Sequence, residues 1–205
     1  MQLYGATPSP FFRKVRVVLE EKGIPYQIEN LLPVSKTPEL LALHPMGKIP
    51  ILRDGAVVVP DSSVICAYLE KKHPAPSVYP DDPADFAKAL FLEEYADTKM
   101  IDVLGQIFFE RFVKPNVLKQ PTVEARVKEK LAGELPPVMD YLESQLPSDR
   151  ETALPRFSIA DAALGAHLGN LTFAGIEIDA RRWPRTARYY RALLARPSFK
   201  TATAL

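Results

Sequence analysis

The chain has 205 residues, 47% of them apolar and 25% charged, and its 26 basic and 25 acidic side chains leave a net charge of +1. This composition is typical of a globular protein and excludes a disordered or collagen-like chain. The near balance of charge disfavours a protein that binds nucleic acid through a strongly basic surface. The length predicts one large domain or two small ones.

Cysteine and histidine usage disfavours a metal protein. The single cysteine, Cys66, excludes an internal disulfide and a four-cysteine metal site. The three histidines lack the spacing of metal ligands, so we predict no metal site. We also expect no tightly bound cofactor. We find no apolar run long enough to span a membrane and no signal-peptide pattern, and we therefore expect a cytoplasmic protein. Cys66 follows Ile65 on a predicted helix and should pack in the core.

The first third of the chain alternates between strands and helices. Residues 2–5 form a short apolar run that predicts a strand, and apolar residues at helical spacing from Phe11 predict a helix that ends at Gly23. Residues 26–29 alternate again and predict a second strand. The opening is therefore a β-α-β unit.

A second group of elements completes this region. Residues 38–43 predict a short helix, and residues 49–52 and 56–59 predict strands joined by a turn at Asp54–Gly55. Asp61 then begins a helix as its N-cap residue. The order β-α-β-α-β-β-α defines an α/β domain over residues 1–73.

The rest of the chain is predicted to be helical. A proline-rich linker over residues 74–84 separates the first domain from an all-α domain over residues 85–205. Its predicted helices cover residues 84–112, 122–146, 158–168 and 184–195. The second of these should be broken near Gly133 and Pro136, and the fourth is predicted to be the last helix. Ser158 and Asp161 form a capping box before a helix that is apolar on every side and therefore buried.

Two loops in the first domain could bind a ligand. Ser9 lies between a strand and a helix, where unpaired N–H groups and the helix dipole favour an anion, although Ser9 could simply cap the helix. In Met46–Pro50, a cis Ile49–Pro50 bond would leave the backbone of Ile49 free to pair with a ligand. The alternative is a trans proline at the first residue of a strand.

Three other features also have two interpretations. The Asp61–Ser62 pair suits an α-amino acid group, with Ser62 at a carboxylate and Asp61 at an ammonium, or it is only an N-cap. Lys36 is a lone cation that is either a ligand contact or solvated. Residues 181–200 contain six arginines, one lysine and no acid, which predicts a solvated helix face or a surface for an anionic partner.

Together these motifs resemble the glutathione S-transferase superfamily of the cytosolic type, and the resemblance covers essentially the whole chain. Ser9–Pro10–Phe11 resembles the Ser/Cys-Pro-Phe motif of the tau and omega-like classes. His44–Pro50 resembles the family's Asn-Pro-x-Gly-Lys-Val-Pro loop, Asp61–Ser62 its Glu-Ser pair, and Ser158 with Asp161 its capping box. The resemblance implies a thioredoxin-like N-terminal domain followed by an all-α C-terminal domain.

The resemblance also implies a role for each matching residue, with glutathione as co-substrate. Ser9 would donate a hydrogen bond to the glutathione sulfur and favour its thiolate. The implied glutathione-binding residues are Phe11, Lys36, Lys48, Ile49, Asp61 and Ser62, and Pro50 is the implied cis-proline. Lys36 and Lys48 would meet the glycine carboxylate and Ile49 the cysteinyl backbone. Asp61 and Ser62 would hold the γ-glutamyl end. The implied pocket for a small hydrophobic electrophile is lined by Pro10, Phe11, Leu104, Phe108 and Phe109.

The sequence departs from the family pattern at three positions. Ser9 stands where omega-type proteins have cysteine, which disfavours mixed-disulfide chemistry. Asp61 is shorter than the usual glutamate, and His44 replaces the usual asparagine. We predict a homodimeric glutathione transferase that conjugates small electrophiles. The alternative is a non-catalytic binding or regulatory protein of the stringent starvation protein A type.

Overall fold

The computed structural model describes residues 1–32 and 36–204. The chain forms two compact units. The first comprises residues 1–79 together with the residues from Pro197 onward, and the second comprises residues 80–196. The first is the thioredoxin-like domain and the second is helical, which is the fold class that the sequence predicts.

The first unit is built on a four-stranded mixed sheet in the order β2-β1-β3-β4. β1 pairs with β2 in parallel and with β3 antiparallel, and β3 pairs with β4 antiparallel. Its strands are β1 (Gln2–Gly5), β2 (Gln27–Asn30), β3 (Ile51–Asp54) and β4 (Val57–Pro60), and its first three helices are α1 (Pro10–Glu21), α2 (Pro38–Leu43) and α3 (Ser62–Lys72).

The strand register brings several loops to one edge of the sheet. Ile51, at the start of β3, pairs with Tyr4 near the end of β1 and with Pro60 at the end of β4. The loop that ends β1, the loop that begins β3 and the loop that follows β4 therefore leave the sheet at the same edge. We call this edge the site edge.

Gly5 ends β1 in a conformation that other residues rarely adopt, with φ +153°. A Cβ atom there would lie 2.3 Å from the ring of Phe12. Because Phe12 of α1 is fully buried against this position, the glycine allows the backbone of β1 to approach α1 closely. This close approach fixes the starting position of the loop over residues 6–9, which connects β1 to α1.

The helices of the second unit are interrupted by wide π-helical turns. They are α4 (Pro83–Tyr95), α5 (Gln106–Phe108), α6 (Glu124–Glu129), α7 (Leu135–Gln145), α8 (Ile159–Phe173) and α9 (Pro184–Ala195), and the π-helical turns lie at Ala96–Gly105, Phe109–Leu118 and Lys130–Glu134. The sequence predicts that the first long helix ends before Pro115, but helical structure continues to Leu118. Wide turns accommodate a residue that lacks a backbone donor.

α8 passes through the core of the second unit and is buried from Ile159 to Leu171. Its capping box is present: the N–H of Ser158 donates to Oδ2 of Asp161 at 2.8 Å. Oδ1 of Asp161 also accepts from the N–H of Ala153 at 2.8 Å and from the hydroxyl of Tyr189 at 2.9 Å. Burial raises the pKa of Asp161 to about 6 despite these donors.

A further helix, α10 (Pro197–Thr203), follows α9, which the sequence wrongly predicts to be the last. α10 packs against α1, and the residues from Pro197 onward belong to the first unit. The sequence analysis instead places these residues in the helical domain over residues 85–205. α10 is only seven residues long and has little intrinsic stability. It is held by tertiary contacts, since Phe199 and Ala202 are buried and Arg16 binds its carbonyl groups.

Cys66 is fully buried on α3, as a core residue would be. We expect Cys66→Ala to lower the free energy of unfolding by about 1 kcal/mol, because a small buried side chain is shortened. Glutathione binding and any conjugation activity should be unchanged. Urea unfolding and an activity assay check this, and loss of activity in a folded variant would show that the thiol has a chemical role.

Within residues 1–32 and 36–204, no helix combines the length and the apolar character needed to cross a bilayer. Nor do these residues hold a group of three or more histidine, cysteine, aspartate or glutamate side chains that could bind a metal ion.

Candidate active site at the site edge

Ser9 is the N-cap residue of α1. Its Oγ accepts a hydrogen bond from the N–H of Phe12 at 3.4 Å, and the side chain is partly exposed. A hydroxyl group has one donor hydrogen as well as two acceptor lone pairs. Ser9 can therefore cap the helix and still donate to a ligand, so the two interpretations of this residue are compatible.

The turn before Ser9 is held by a buried arginine. The N–H of Ser9 donates to the carbonyl of Ala6 at 2.9 Å, which closes a turn over Thr7 and Pro8. The guanidinium of Arg13 donates to the carbonyls of both Thr7 and Pro8, at 3.0 Å and 2.7 Å. These contacts fix the direction in which the chain enters α1.

Ile49–Pro50 is a cis peptide bond, as the sequence predicts. Ile49 lies just before β3 and takes no part in the strand registers on either side of it. Its side chain is partly exposed. The backbone of Ile49 is thus placed where an extended peptide could pair with it in the manner of a strand.

His44 shapes the loop that leads to Ile49. Its carbonyl accepts from the N–H of Gly47 at 2.7 Å, and its Nδ1 accepts from the N–H of Met46 at 3.3 Å. Burial lowers the pKa of His44, and the positive charge of Lys48 lowers it further while Asp61 opposes the shift. The neutral ring therefore supplies the acceptor that an asparagine side chain would supply at this position.

Lys36 approaches the same loop at Gly47. Gly47 has φ +62°, and a Cβ atom there would lie 2.9 Å from Cγ of Lys36. Lys36 and Lys48 are both exposed. The structure thus places two cations beside the residues that precede Ile49, where the sequence predicts a carboxylate contact.

Asp61 and Ser62 lie where β4 passes into α3. Asp61 has φ 75° and caps α3, since its Oδ1 accepts from the N–H groups of Ser63 and Val64 at 2.9 Å and 3.2 Å. Ser62 is the first residue of α3 and is buried. The N-cap interpretation of Asp61 is correct, and the N-terminus of α3 faces the same edge as that of α1.

Lys14 lies beside the candidate site and is not identified in the sequence analysis. It is fully buried on α1, and its Nζ donates to Oγ of Ser63 at 2.9 Å. This bond joins the second turn of α1 to the first turn of α3 and places a cation beside the start of α3. The sequence does contain a signal for this burial. Arg13, Lys14 and Arg16 lie among apolar residues on most sides of α1, so at least one of these basic side chains has to be buried.

The residues predicted to line an electrophile pocket lie on both units. Pro10 and Phe11 begin α1 in the first unit, and Phe11 is partly exposed. In the second unit, Leu104 is fully buried and Phe108 nearly so, with its ring stacked on Phe112 at 5.2 Å. Phe109 is 43% exposed. Of these three residues, Phe109 offers the largest accessible surface to a substrate.

The arginine-rich stretch over residues 181–200 is mostly used within the second unit. Arg188 donates to the carbonyls of Pro147 and Ser148, and Arg185 donates to the carbonyl of Leu146. Arg182 pairs with Asp140, and Arg196 lies over the ring of Phe157 at 4.5 Å. Four of the six arginines thus stabilise α9 and its flanks. Arg182, Arg185 and Arg191 are also exposed, in agreement with a solvated helix face, and docking of an anionic partner stays a prediction.

Comparison with known proteins agrees with this geometry. Residues 3–77 match the family model described as glutathione S-transferase, N-terminal domain, and residues 124–192 match the corresponding C-terminal domain. Glutathione S-transferase 3 of Zea mays is 32% identical, over 100% of this chain and 93% of that protein. A stringent starvation protein A homologue of Coxiella burnetii is 24% identical, over 98% and 90%.

A solved structure shows the same fold. The glutathione S-transferase of Methylobacterium radiotolerans, in complex with glutathione sulfonate, is 33% identical with a TM-score of 0.78, covering 98% of this chain and 93% of that one. The family models together span most of the chain, and the maize relative extends over all of it. The chain belongs to the glutathione S-transferase superfamily.

Proposed function

We propose that this protein is a glutathione transferase that conjugates glutathione to small electrophilic substrates. One observation carries the proposal: the site edge gathers the hydroxyl of Ser9, the backbone of Ile49 and the N-terminus of α3 at Ser62. These are a donor for a sulfur, a strand-like partner for a peptide and a site for a carboxylate.

The proposal gives each part of glutathione a partner in this arrangement. Ser9 donates a hydrogen bond to the sulfur, while Lys36 and Lys48 attract the glycine carboxylate. Ile49 pairs with the cysteinyl backbone. Ser62 binds the γ-glutamyl carboxylate, and Lys14 adds a positive charge beside it. Asp61 is already engaged as a helix cap, so its contact with the γ-glutamyl ammonium is secondary to that of Ser62.

The chemistry proceeds from the ionised thiol. The hydrogen bond from Ser9 stabilises the thiolate over the thiol, and the thiol proton passes to solvent. The thiolate sulfur then forms a bond to an electrophilic carbon, and the leaving group departs with the electron pair of its bond. The apolar side chain of Phe11, which is partly exposed at the start of α1, is a candidate to hold the electrophile.

The relative solved with glutathione sulfonate supports glutathione as the ligand. The similarity to stringent starvation protein A homologues supports a second possibility, a protein that keeps the fold and works through a protein surface. The retained set Ser9, Ile49, Ser62 and the two exposed lysines favours the enzyme, because a protein without need of glutathione has no reason to keep all of these groups.

The test separates binding from conjugation. Isothermal calorimetry with glutathione measures binding, and 1-chloro-2,4-dinitrobenzene as the acceptor measures conjugation. A glutathione analogue that carries methyl in place of the thiol is the control, since it should bind without reacting. We expect binding of both peptides and turnover with glutathione alone. Binding without turnover across a panel of electrophiles would favour the non-catalytic alternative, and absence of binding would refute both roles of this site.

We also propose that the protein is a cytoplasmic homodimer with a detoxifying role, as the resemblance implies. An exposed apolar face on α4 supports the dimer: Phe86 and Leu90 are 40% and 38% exposed. Their spacing places them on one side of the helix. Apolar patches of this kind mark interaction surfaces in soluble proteins.

The dimer proposal predicts the effect of a charge on this face. Leu90→Arg should convert the dimer to a monomer at micromolar concentration, because the interface would have to bury an unpaired cation. Multi-angle light scattering measures the mass. Lys88→Glu, on the opposite side of α4, is the matched control and should remain dimeric. A monomeric wild-type protein would contradict the proposal.

A further inference from the structure

Arg16 is a nearly fully buried arginine whose guanidinium connects three parts of the first unit. Its Nη1 donates to Oγ1 of Thr7 at 3.1 Å, in the turn that precedes Ser9. Its Nη2 donates to the carbonyl of Thr201 at 2.8 Å, and Nη1 also reaches the carbonyl of Ala202 at 3.3 Å, both on α10. Its Nε donates to the hydroxyl of Tyr26 at 3.2 Å.

A guanidinium is planar, so its donors point in fixed relative directions. The carbonyls of α10 and the hydroxyl of Tyr26 therefore determine where the remaining donor meets Thr7. Tyr26 is itself fixed, since its hydroxyl donates to Glu20 at 2.8 Å. The position of the Thr7 side chain thus depends on α10, although the two are far apart in sequence.

Thr7 lies inside the turn that sets the position of Ser9. Arg13 holds the backbone of this turn through the carbonyls of Thr7 and Pro8, and Arg16 holds it through the Thr7 side chain. The two arginines act on different atoms of the same turn. Loss of the Arg16 contact would leave the backbone restrained on one side only and widen the range of directions open to the Ser9 hydroxyl.

We propose that Arg16 is a positioning residue through which α10 fixes the Ser9 turn, so that the C-terminal helix of the first unit tunes the ionisation of the bound thiol. This inference rests on the proposed function, because it requires that Ser9 donates to the glutathione sulfur. Arg16 does not touch the ligand in this mechanism. It acts through Thr7, and Thr7 acts through the turn.

The test uses Thr7→Val, which removes the acceptor for Arg16 and keeps the size of the side chain. The pKa of bound glutathione is measured from the ultraviolet difference absorbance of its thiolate, and the pH profile of kcat/KM is measured with 1-chloro-2,4-dinitrobenzene. We expect the thiol pKa to rise by about half a unit to one unit, with turnover at neutral pH about three- to tenfold lower. The affinity for glutathione should be unchanged.

Three further variants make the result specific. Thr7→Ser keeps a hydroxyl and should restore the wild-type profile. Thr203→Val is the matched control on α10, because its hydroxyl bonds to Phe199 within the same helix and not to Arg16. Arg16→Lys keeps the charge without the planar fork and should resemble Thr7→Val, provided that circular dichroism shows a folded protein.

The outcomes separate this inference from the proposed function. If Ser9→Ala raises the thiol pKa and Thr7→Val does not, the coupling through Arg16 is refuted and the role of Ser9 stands. If neither variant changes the thiol pKa, the proposed role of Ser9 fails and the coupling fails with it. If Thr203→Val raised the thiol pKa as much as Thr7→Val, the coupling would also be refuted, because any loosening of α10 would then be enough to produce the shift.

Discussion

Ser9→Ala should raise the pKa of the bound glutathione thiol by roughly one to two units. A hydrogen bond to a charged group contributes about 1.5–3 kcal/mol, and one pKa unit corresponds to about 1.4 kcal/mol. Turnover at neutral pH should fall by roughly ten- to a hundredfold, and the deficit should shrink as the pH rises and the thiol ionises unaided. Glutathione affinity should change little, because Lys48, Ile49 and Ser62 hold the rest of the peptide.

The measurement is the pH dependence of kcat/KM, with the thiolate absorbance of the bound peptide as a second readout. Ser144→Ala, an exposed serine on α7, is a matched control and should leave both unchanged. Thr7 is the other hydroxyl in the same loop, but its Oγ1 is engaged by Arg16. The assignment of Ser9 would fail if Ser9→Ala kept its pH profile while Thr7→Val lost activity entirely.

Asp161→Ala should lower the free energy of unfolding by about 3 kcal/mol. The carboxylate is fully buried, and its removal leaves the N–H groups of Ala153 and Ser158 and the hydroxyl of Tyr189 without an acceptor. This is a large share of the roughly 5–15 kcal/mol that stabilises a typical domain. Urea unfolding measures the loss.

An exposed helix cap provides the control for Asp161. Asp82 caps α4 in the same unit, but it is exposed, so Asp82→Ala should cost only about 1 kcal/mol. Equal losses in the two variants would show that the buried bonds of Asp161 contribute no more than an ordinary cap.

The pKa of Asp161 gives this contribution a definite pH dependence. The folded protein has a pKa of about 6 for this group, above its ordinary value of 3.8. Between these values the folded state binds more protons than the unfolded state, so stability falls as the pH rises from about 4 to about 6. Asp161→Asn should lack this slope, which unfolding curves at several pH values will show.

The first unit was largely predictable because its signals are local. Asp54–Gly55 between two apolar runs predicts the hairpin, and Pro38 at a first turn predicts α2. Ser9, Ile49 and Ser62 could be related to one another through the resemblance, and the strand register then shows why they lie at the same edge of the sheet. Ser9 and Ser62 each follow a strand end, and Ile49 precedes a strand start, at one edge of the sheet.

The elements that the sequence does not reveal depend on tertiary contacts. α10 is too short to show a detectable amphipathic pattern. It is stabilised by hydrogen bonds that the Arg16 guanidinium donates to its carbonyl groups. The arginines of α9 suggest a charged surface, but the carbonyls that accept from Arg185 and Arg188 are backbone groups, which no sequence pattern marks. His44 likewise acts through a ring nitrogen whose partner is a backbone N–H.

The first unit is made of two segments that are far apart in the chain, and this affects the order in which its parts are synthesised. Arg16 and its acceptor on Thr201 are 185 residues apart, so α1 emerges from the ribosome long before α10 exists. The sheet can form early, but the apolar surface of α1 that α10 covers stays uncovered until residues 197–203 have been made. Domains generally fold in the order in which they are made. Here the first unit begins before the second unit and is completed after it, and a nascent chain stalled before residue 197 would expose that surface to chaperones.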